Sequence, residues 1–379
     1  MYLDHAAATP LEPAVLEAMT PYFAVDFFNP SSPYAPAVNV RRAFEDAKQS
    51  IASSIGAKPD ELVMTAGATE SINLALGSVD GHVVIPAIEH HAVLAAARLH
   101  DHTIVTVDER GLVLLDELIA AIRPDTQLVS VALANNELGT IQPIRDIAQA
   151  IKKIRDERLR GGNTTPLYLH SDASQGVGQL DINVARMGID MLTLNAGKIY
   201  GPKQVGLLWA ASHVRLNPSV VGGGQERGLR SGTENVPGVI GFATAIVRAT
   251  EHRRFESERL AALRDRMQSV LTEAFPDAIV SGHPRHRLSG HLHISFPGLD
   301  AERLIFALEN RGVLVATGSA CAANKGTRSH VLTAIGLAPE VADGSLRITL
   351  GHLNDDESID QATAVLIEEI TREYARIAK

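Results

Sequence analysis

The chain lacks several features that would assign a protein to a specialised class. It has 379 residues, a formal charge of −9 and a single cysteine, Cys321. A net negative charge gives no general attraction for nucleic acid or for an anionic membrane. No apolar run approaches the ~18 residues of a membrane span, and we expect no signal peptide because no basic and apolar pattern opens the chain. One cysteine excludes an intramolecular disulfide, which favours a reducing, cytoplasmic setting.

The remaining composition is that of an ordinary folded protein. Apolar residues make up 45% of the chain and charged residues 21%, a balance typical of globular domains. Short apolar runs alternate with helical patterns as far as residue 194, which predicts a mainly parallel sheet with helices on both faces. The predicted strands are 62–65, 83–85, 103–107, 128–134, 167–170 and 191–194, and the predicted helices are 13–22, 38–55, 69–76, 90–99, 115–122 and 144–158.

The pattern changes near residue 251. A long charged helix is predicted over 251–275, a plausible bridge between two domains. Beyond it we predict two strands and three helices, which indicates a smaller α/β domain. The strands are 291–296 and 346–350, and the helices are 301–310, 329–335 and 355–377.

Lys198 follows the apolar run 191–194, which we interpret as a buried strand. A lysine between small residues at the end of a core strand is unusual, because lysine is strongly hydrated and rarely buried. A lysine that is partly desolvated can act as a nucleophile. A surface lysine at a turn is the alternative, so the interpretation depends on which other residues reach this point.

Three polar motifs follow predicted strands, where the ligands of parallel sheets bind. The backbone amides of Gly67-Ala68-Thr69-Glu70 can bind a phosphate at the start of a helix, or the motif is an ordinary helix cap. Asp172 can be a metal ligand, a general base or the partner of a heterocyclic nitrogen cation, with helix capping or a turn as the alternative. His90 can stack on a planar ligand or move protons, or can simply begin a helix.

Two later segments have unusual compositions. The glycine–arginine loop, 222–233, can approach an anion or cross to another subunit, or can be a flexible surface loop. Cys321 stands among small residues, so its thiol should be accessible and a better candidate for reactivity than a core cysteine. A silent cysteine is the alternative. No large apolar side chain occurs between Ala316 and Arg328, and we expect this segment to be flexible.

Four histidines lie close together in the C-terminal part of the chain. No carboxylate or cysteine lies among them to complete a metal shell. We therefore interpret them as surface histidines, with metal binding as the alternative. They are His283, His286, His291 and His293.

Together these motifs resemble the pyridoxal-phosphate-dependent cysteine desulfurases, of the class V aminotransferase branch of fold type I. The similarity covers nearly the whole chain, and the order and spacing of the motifs are specific in combination. Besides the segments above, it rests on Tyr2-Leu3-Asp4-His5-Ala6-Ala7-Ala8-Thr9-Pro10, Asn135-Asn136-Glu137-Leu138-Gly139, Lys198-Ile199-Tyr200-Gly201-Pro202-Lys203, Gly318-Ser319-Ala320-Cys321 and Ser345-Leu346-Arg347.

The resemblance implies an α/β fold, with a mainly parallel, seven-stranded-type sheet and a smaller α/β domain. It implies a large cofactor-binding domain at 13–250, and a small domain formed by 1–12 and 251–379 that carries Cys321. It also implies a homodimer.

The resemblance implies roles for individual residues as well. Lys198 would carry pyridoxal 5′-phosphate and move the substrate's Cα proton, and Cys321 would accept sulfur. His90 would stack on the cofactor ring, Asp172 would keep the ring nitrogen protonated, and Gln175 would bind the ring hydroxyl. The phosphate would be bound by Ala68 and Thr69, with Thr233 from the partner subunit. Asn136 and Arg347 would position the substrate, with Arg347 binding its carboxylate.

The implied reaction converts L-cysteine to L-alanine and leaves a persulfide on Cys321. The sulfur would pass to an acceptor protein, such as an iron–sulfur scaffold or a tRNA thiolation enzyme, with no direct contact to nucleic acid or membrane. Alternatives are a selenocysteine lyase, a class V aminotransferase, or a degenerate protein of the same fold kept as a scaffold. An aminotransferase would not need Cys321.

One position departs from the family pattern. The family has a histidine directly before the cofactor lysine, where it helps to bind phosphate. This chain reads Asn195-Ala196-Gly197-Lys198, and Gly197 has no side chain to do so. Asn195 is the candidate to replace it through its amide.

Overall fold

The computed structural model describes residues 1–318 and 328–378. The helices are α1 Pro13–Met19, α2 Pro21–Ala24, α3 Ala35–Ile55, α4 Ala68–Leu76, α5 His91–Ala97, α6 Leu115–Ala120, α7 Ile144–Arg160, α8 Val184–Met187, α9 Val236–Ala274, α10 Ala301–Asn310, α11 His330–Ala334, α12 Pro339–Ala342 and α13 Asp356–Ile377. The strands are β1 Leu62–Thr65, β2 His82–Pro86, β3 His102–Val105, β4 Thr126–Ser130, β5 Tyr168–Asp172, β6 Met191–Asn195, β7 Gly206–Ala210, β8 Ile279–Ser281, β9 His291–Ser295 and β10 Ser345–Thr349. Within these residues, no helix has both the length and the apolar character needed to cross a membrane.

The large sheet has seven strands in the order β1-β7-β6-β5-β4-β2-β3. β7 runs antiparallel to β1 and β6, and the other neighbours are parallel. The predicted mainly parallel sheet is therefore confirmed. β7 was missing from the sequence prediction. It pairs directly with β6 after the turn at Lys198, because antiparallel neighbours need only a short connection.

Successive residues of the large-sheet strands pack into different cores. On β6, Leu192 and Leu194 join the core beneath α1, α3, α7 and α9, whereas Met191 joins the core beneath α4 and α5. On β7, Leu207 joins the first of these cores and Leu208 joins the second. This alternation follows from the two-residue period of a strand, and it places helices on both faces of the sheet.

The small sheet is antiparallel, in the order β10-β9-β8. The apolar side of its middle strand, with Leu292 and Ile294, packs into a separate core with residues of α9, α10 and α13. Val331 and Leu332 on α11 pack into the large core instead. The domain bounds given above stay a prediction.

The interpretation of the four histidines as surface residues is wrong for three of them. His283, His291 and His293 are buried, and only His286 is exposed. His291 and His293 lie on the middle strand of the small sheet, so both of its faces are covered. One face packs against the small core, and the other packs against the loop around Gly139. The contact with this loop is close, because a Cβ added to Gly139 would lie 2.5 Å from the Cβ of His291. Within the described parts of the chain, no group of three or more metal-binding side chains could hold an ion.

Two helices also differ from their predicted bounds. The predicted helix 13–22 is divided, because the backbone of Pro21 has no N–H to continue it. α9 begins at Val236, well before residue 251, with Asn235 accepting a hydrogen bond from the amide of Gly238. The glycines in its first turns discouraged a helix prediction. In the structure they allow close packing, since a Cβ on Gly241 would lie 2.5 Å from the sulfur of Met19.

The buried histidines should make stability depend on pH. Burial lowers the pKa of His293 from 6.5 to about 4, so the unfolded chain binds the proton more tightly and stability falls as pH drops through this range. From His293 alone we expect the free energy of unfolding to be about 2 kcal/mol lower near pH 5 than near pH 7.5.

Urea unfolding of a His293→Leu variant at both pH values tests this. The variant should lose that part of the pH dependence, whereas His286→Leu, which changes an exposed ring, should retain it. Equal pH dependence in the parent and the His293 variant would contradict the expectation.

Candidate functional site

A cavity of about 300 Å³ lies at the carboxyl ends of the central parallel strands. Because these ends meet at one edge of the sheet, residues distant in sequence converge there. Nine of the site residues predicted from the sequence line this cavity. They are Ala68, Thr69, His90, Asn136, Asp172, Gln175, Asn195, Lys198 and Arg347.

Lys198 is presented by a single helical turn, Ala196–Lys198, that follows the buried strand β6. The turn is capped by Asn195, whose side-chain oxygen accepts a hydrogen bond from the amide of Gly197 at 3.1 Å. The Lys198 Nζ donates hydrogen bonds to the carbonyl oxygens of Ala6 and Ala7, both at 2.7 Å. The amine is thus held at a fixed point on the cavity wall by backbone groups far away in the sequence.

Asp172 is the last residue of β5. Its Oδ1 accepts hydrogen bonds from the amide of Ser174 at 2.9 Å and from the Ser174 hydroxyl at 2.6 Å. Gln175, one turn further on, donates to the same Ala6 carbonyl that accepts from Lys198, at 3.1 Å. An anionic group therefore faces the cavity close to the lysine.

His90 caps the start of α5, and its Nδ1 accepts a hydrogen bond from the amide of Ala92 at 3.1 Å. Desolvation lowers the pKa of His90, and the nearby Asp172 carboxylate partly opposes this. The ring is therefore expected to be neutral at physiological pH, with Nδ1 as the acceptor and the proton on Nε2. A neutral planar ring on the cavity wall can stack on a planar ligand.

A second cavity, of about 540 Å³, adjoins the first at the start of α4. Gly67 directly precedes this helix and has a φ of 130°, a conformation that other residues rarely adopt. The first amides of a helix point outward and attract anions. Lys203 also lines this cavity, and its Nζ donates to the carbonyl oxygen of Thr9 at 2.6 Å. Backbone amides and an ammonium group together make a suitable phosphate site.

Arg347 lies on β10 and is 3% exposed. Its Nη2 donates to the Asp4 carboxylate at 2.7 Å, and its Nη1 donates to the backbone oxygen of Asn136 at 3.3 Å. Its Nε has no hydrogen-bond partner among the described residues. A buried guanidinium with an unused donor, at the wall of a cavity, is suited to bind a carboxylate.

Of the predicted site residues that the structure describes, Thr233 alone does not line the cavity. Thr233 is exposed in the glycine–arginine loop and is not among the described residues that line the cavity. Cys321 and most of the segment expected to be flexible lie outside the described residues.

Sequence reasoning assigned no role to four residues that the structure places at or beside the site. Asp4 pairs with Arg347, and Lys203 lines the phosphate-sized cavity. Glu89 is buried and accepts a hydrogen bond from the amide of Ala132 at 2.7 Å, and burial raises its pKa to about 8. Glu137 is also buried, beside Asn136, and burial raises its pKa. The sequence did contain a signal for the two glutamates, because one directly precedes His90 and the other directly follows Asn136.

The chain is similar to known proteins over nearly its whole length. The chain is 39% identical over 377 residues to the cysteine desulfurase IscS 1 of Archaeoglobus fulgidus, with 96% of this chain and 95% of that protein covered. A solved NifS-like protein superposes with a TM-score of 0.90 at 32% identity, covering 98% of this chain and 99% of that one. A structure described as SspA in complex with cysteine gives a TM-score of 0.77 at 36% identity, covering 92% and 98%. The model of the family described as aminotransferase class-V matches residues 1–362, so the chain belongs to this family.

Proposed function

We propose that this protein is a cysteine desulfurase that uses pyridoxal 5′-phosphate to convert L-cysteine to L-alanine and passes the sulfur to Cys321. The observation that carries the proposal is the meeting of Lys198, Asp172 and Arg347 in one cavity. An amine, a carboxylate and a guanidinium there supply a covalent anchor for the cofactor, a partner for its ring nitrogen and a binding group for an amino-acid carboxylate.

The residues present fit the cofactor. The phosphate would bind at the start of α4, beside Thr69 and Lys203, in the cavity that adjoins Lys198. Asp172, in the first cavity, would hold the ring nitrogen protonated, and His90 would stack on the ring. When bound, pyridoxal phosphate supplies an electron sink for negative charge at the substrate's Cα.

The substrate would be held by Arg347 and Asn136. Arg347 and Lys198 line the same cavity, and a guanidinium and an amine there suit a compound that carries a carboxylate and an amine on one carbon. The relative SspA is described in complex with cysteine, which supports cysteine as the amino acid.

Lys198 and Cys321 would act in different steps of the reaction. Lys198, as an unprotonated amine, would take the Cα proton. The Cys321 thiolate would attack the substrate's sulfur, so that an S–S bond forms and the Cβ–S bond breaks. The electrons of that bond remain with the carbon, which takes up a proton and becomes the methyl group of alanine. Sulfur is left on Cys321 as a persulfide for an acceptor such as an iron–sulfur scaffold or a tRNA thiolation enzyme, in the cytoplasm.

A single assay tests this function. Purified protein with pyridoxal phosphate and L-cysteine should release alanine and gain one sulfur atom on Cys321, the only thiol of the chain, as measured by mass spectrometry. Cys321→Ala should keep the absorbance of the bound cofactor but lose the extra sulfur and most alanine formation. Lys198→Ala should lose the absorbance of the lysine-bound cofactor.

Other results would point to the alternatives. Alanine formation at the parent rate by Cys321→Ala would contradict sulfur transfer to this thiol and favour an aminotransferase. Turnover of selenocysteine but not of cysteine would indicate a selenocysteine lyase. A colourless protein that binds no cofactor when it is added would indicate a scaffold.

Gly197 should weaken phosphate binding. A Cβ at this position would be 3.5 Å from the Asn195 Oδ1 and 3.8 Å from the backbone of Lys203, which is ordinary contact, so a side chain can be accommodated. An added hydrogen bond to phosphate is worth roughly 0.5–3 kcal/mol. Gly197→His should therefore tighten binding of pyridoxal phosphate several-fold or more in a spectroscopic titration of the cofactor-free protein.

The matched control is Gly197→Ala, which adds the Cβ without the imidazole. It should bind the cofactor no more tightly than the parent does. Equal affinity in the His and Ala variants would show that the imidazole gains nothing here.

We further propose that the protein is a homodimer in which Thr233 completes the partner's phosphate site. Large apolar side chains are exposed together in the segment 16–38, a pattern that marks protein interfaces. They are Leu16, Phe23, Val25, Phe27, Tyr34 and Val38. Thr233 is exposed and lies away from the cavity of its own chain, as expected for a residue that acts in the other subunit.

Mixed dimers test the shared site. Lys198→Ala and Thr233→Val subunits, co-expressed and assayed at limiting cofactor, should recover about a quarter of the parent activity, because half of the dimers are mixed and each has one intact site. Both substitutions in one chain, co-expressed with the parent, should leave about a quarter of the parent activity, all of it from parent homodimers, whereas sites contained within one chain would leave about half. An active cofactor-bound monomer in sedimentation would rule the proposal out.

A further inference from the structure

A smaller cavity, of about 60 Å³, lies on the other side of Lys198 from the substrate-sized cavity. Lys198, Ala6 and Gln175 line both cavities, so they form the wall between them. The small cavity reaches His252 and His352, both of which are exposed. It can hold a few water molecules, but it is too small for an amino-acid substrate.

The hydrogen bonding of His5, which lines this cavity, leaves one ring nitrogen without a partner in the described chain. The amide of His352 donates to the Tyr200 hydroxyl oxygen at 2.7 Å, and that hydroxyl lies 3.0 Å from the Nδ1 of His5. If the hydroxyl donates to Nδ1, the imidazole proton is on Nε2. Burial lowers the pKa of His5 to about 4, so the ring is neutral at physiological pH. The Nε2 is buried and has no partner in the described chain.

His291 offers a second pair of unused polar atoms at the same cavity. Its side chain is 2% exposed, and both ring nitrogens lack a hydrogen-bond partner within residues 1–318 and 328–378. Buried polar groups are normally paired with protein or with ordered water. The cavity has room for water, and polar side chains stand in its otherwise largely apolar wall, so water bound beside them would satisfy groups of this kind.

The outer end of the cavity is polar and reaches solvent. The ring of His352 stacks on Tyr200, with centroids 3.9 Å apart and planes at 6°. Its Nε2 lies 3.7 Å from the Glu256 carboxylate, which also pairs with Arg259. His252 and Glu256 line the same end. These groups can exchange protons with bulk water and with water inside the cavity.

We propose that this cavity is a water-filled passage through which Lys198 exchanges its proton with solvent while the substrate cavity is occupied. The inference rests on the proposed function, in which Lys198 takes the Cα proton. The Lys198 ammonium group would give a proton to water in the passage, and a proton from solvent would return by the same route. No other reactant is required, because the exchange is a proton transfer in each direction.

Hydrogen exchange in D₂O tests the passage. Holoenzyme with bound L-alanine should exchange the alanine Cα proton for deuterium, as followed by ¹H NMR. L-Alanine has no sulfur, so Cys321 takes no part. Ala249 lines the passage on α9, and Ala249→Leu should fill it and slow the exchange by about tenfold or more, the scale of a lost proton-transfer route. Ala249→Val should slow it less.

The matched control is Ala262→Leu, an exposed position on the same helix, which should leave the exchange rate unchanged. A crystal structure of the cofactor-free parent should show ordered water bonded to the Nε2 of His5, and Ala249→Leu should lack it. A dry cavity, or equal exchange in the parent and both Ala249 variants, would overturn the proposal. Water in the passage with no Cα exchange in the parent would instead contradict the role given to Lys198.

Discussion

The site depends on one stretch of backbone, the N-terminal segment Tyr2–Thr9. Its carbonyl groups at Ala6 and Ala7 hold the amine of Lys198, and Ala6 also accepts from Gln175. At one end of the segment, the backbone forms isolated β-bridges to Leu314 and to Thr349, the last residue of β10 in the small sheet. At the other end, the Thr9 hydroxyl contacts the turn that presents Lys198. The segment therefore fixes the distance between the lysine and the small sheet, and a shift of a few ångströms would separate the groups that we propose bind substrate.

The same segment sets the charge balance of the cavity. Arg347 is buried and would be costly without a counter-ion, and Asp4 provides one at 2.7 Å. In the proposed function, a substrate carboxylate would join an arginine that is already positioned and neutralised. The arrangement keeps the guanidinium in place before substrate arrives, which lowers the cost of ordering it on binding.

Much of this molecule could be predicted because local patterns determine it. Asp172 and Lys198 each follow a short apolar run, and parallel strands bring such positions to one edge. Contacts between distant segments gave no local signal. The pairing of Asp4 with Arg347 joins residues 343 positions apart. β7 was missed although Leu207-Leu208-Trp209 is an apolar run, and the burial of His291 depends on the distant loop around Gly139.

The polar side of the small sheet explains why its histidines are inside. His293 lies between Ser281 and Arg347 in the strand register, on the side opposite the apolar core. An unpaired polar group of this kind costs about 1–3 kcal/mol when buried, so these buried histidines lower the stability of the protein. What they contribute to the site is electrostatic. Burial and Arg347 itself lower the pKa of His293, and the ring stays neutral beside the guanidinium. A protonated ring would repel Arg347, and a carboxylate in its place would compete with the substrate for it. A neutral imidazole does neither, so Arg347 stays available for the substrate carboxylate.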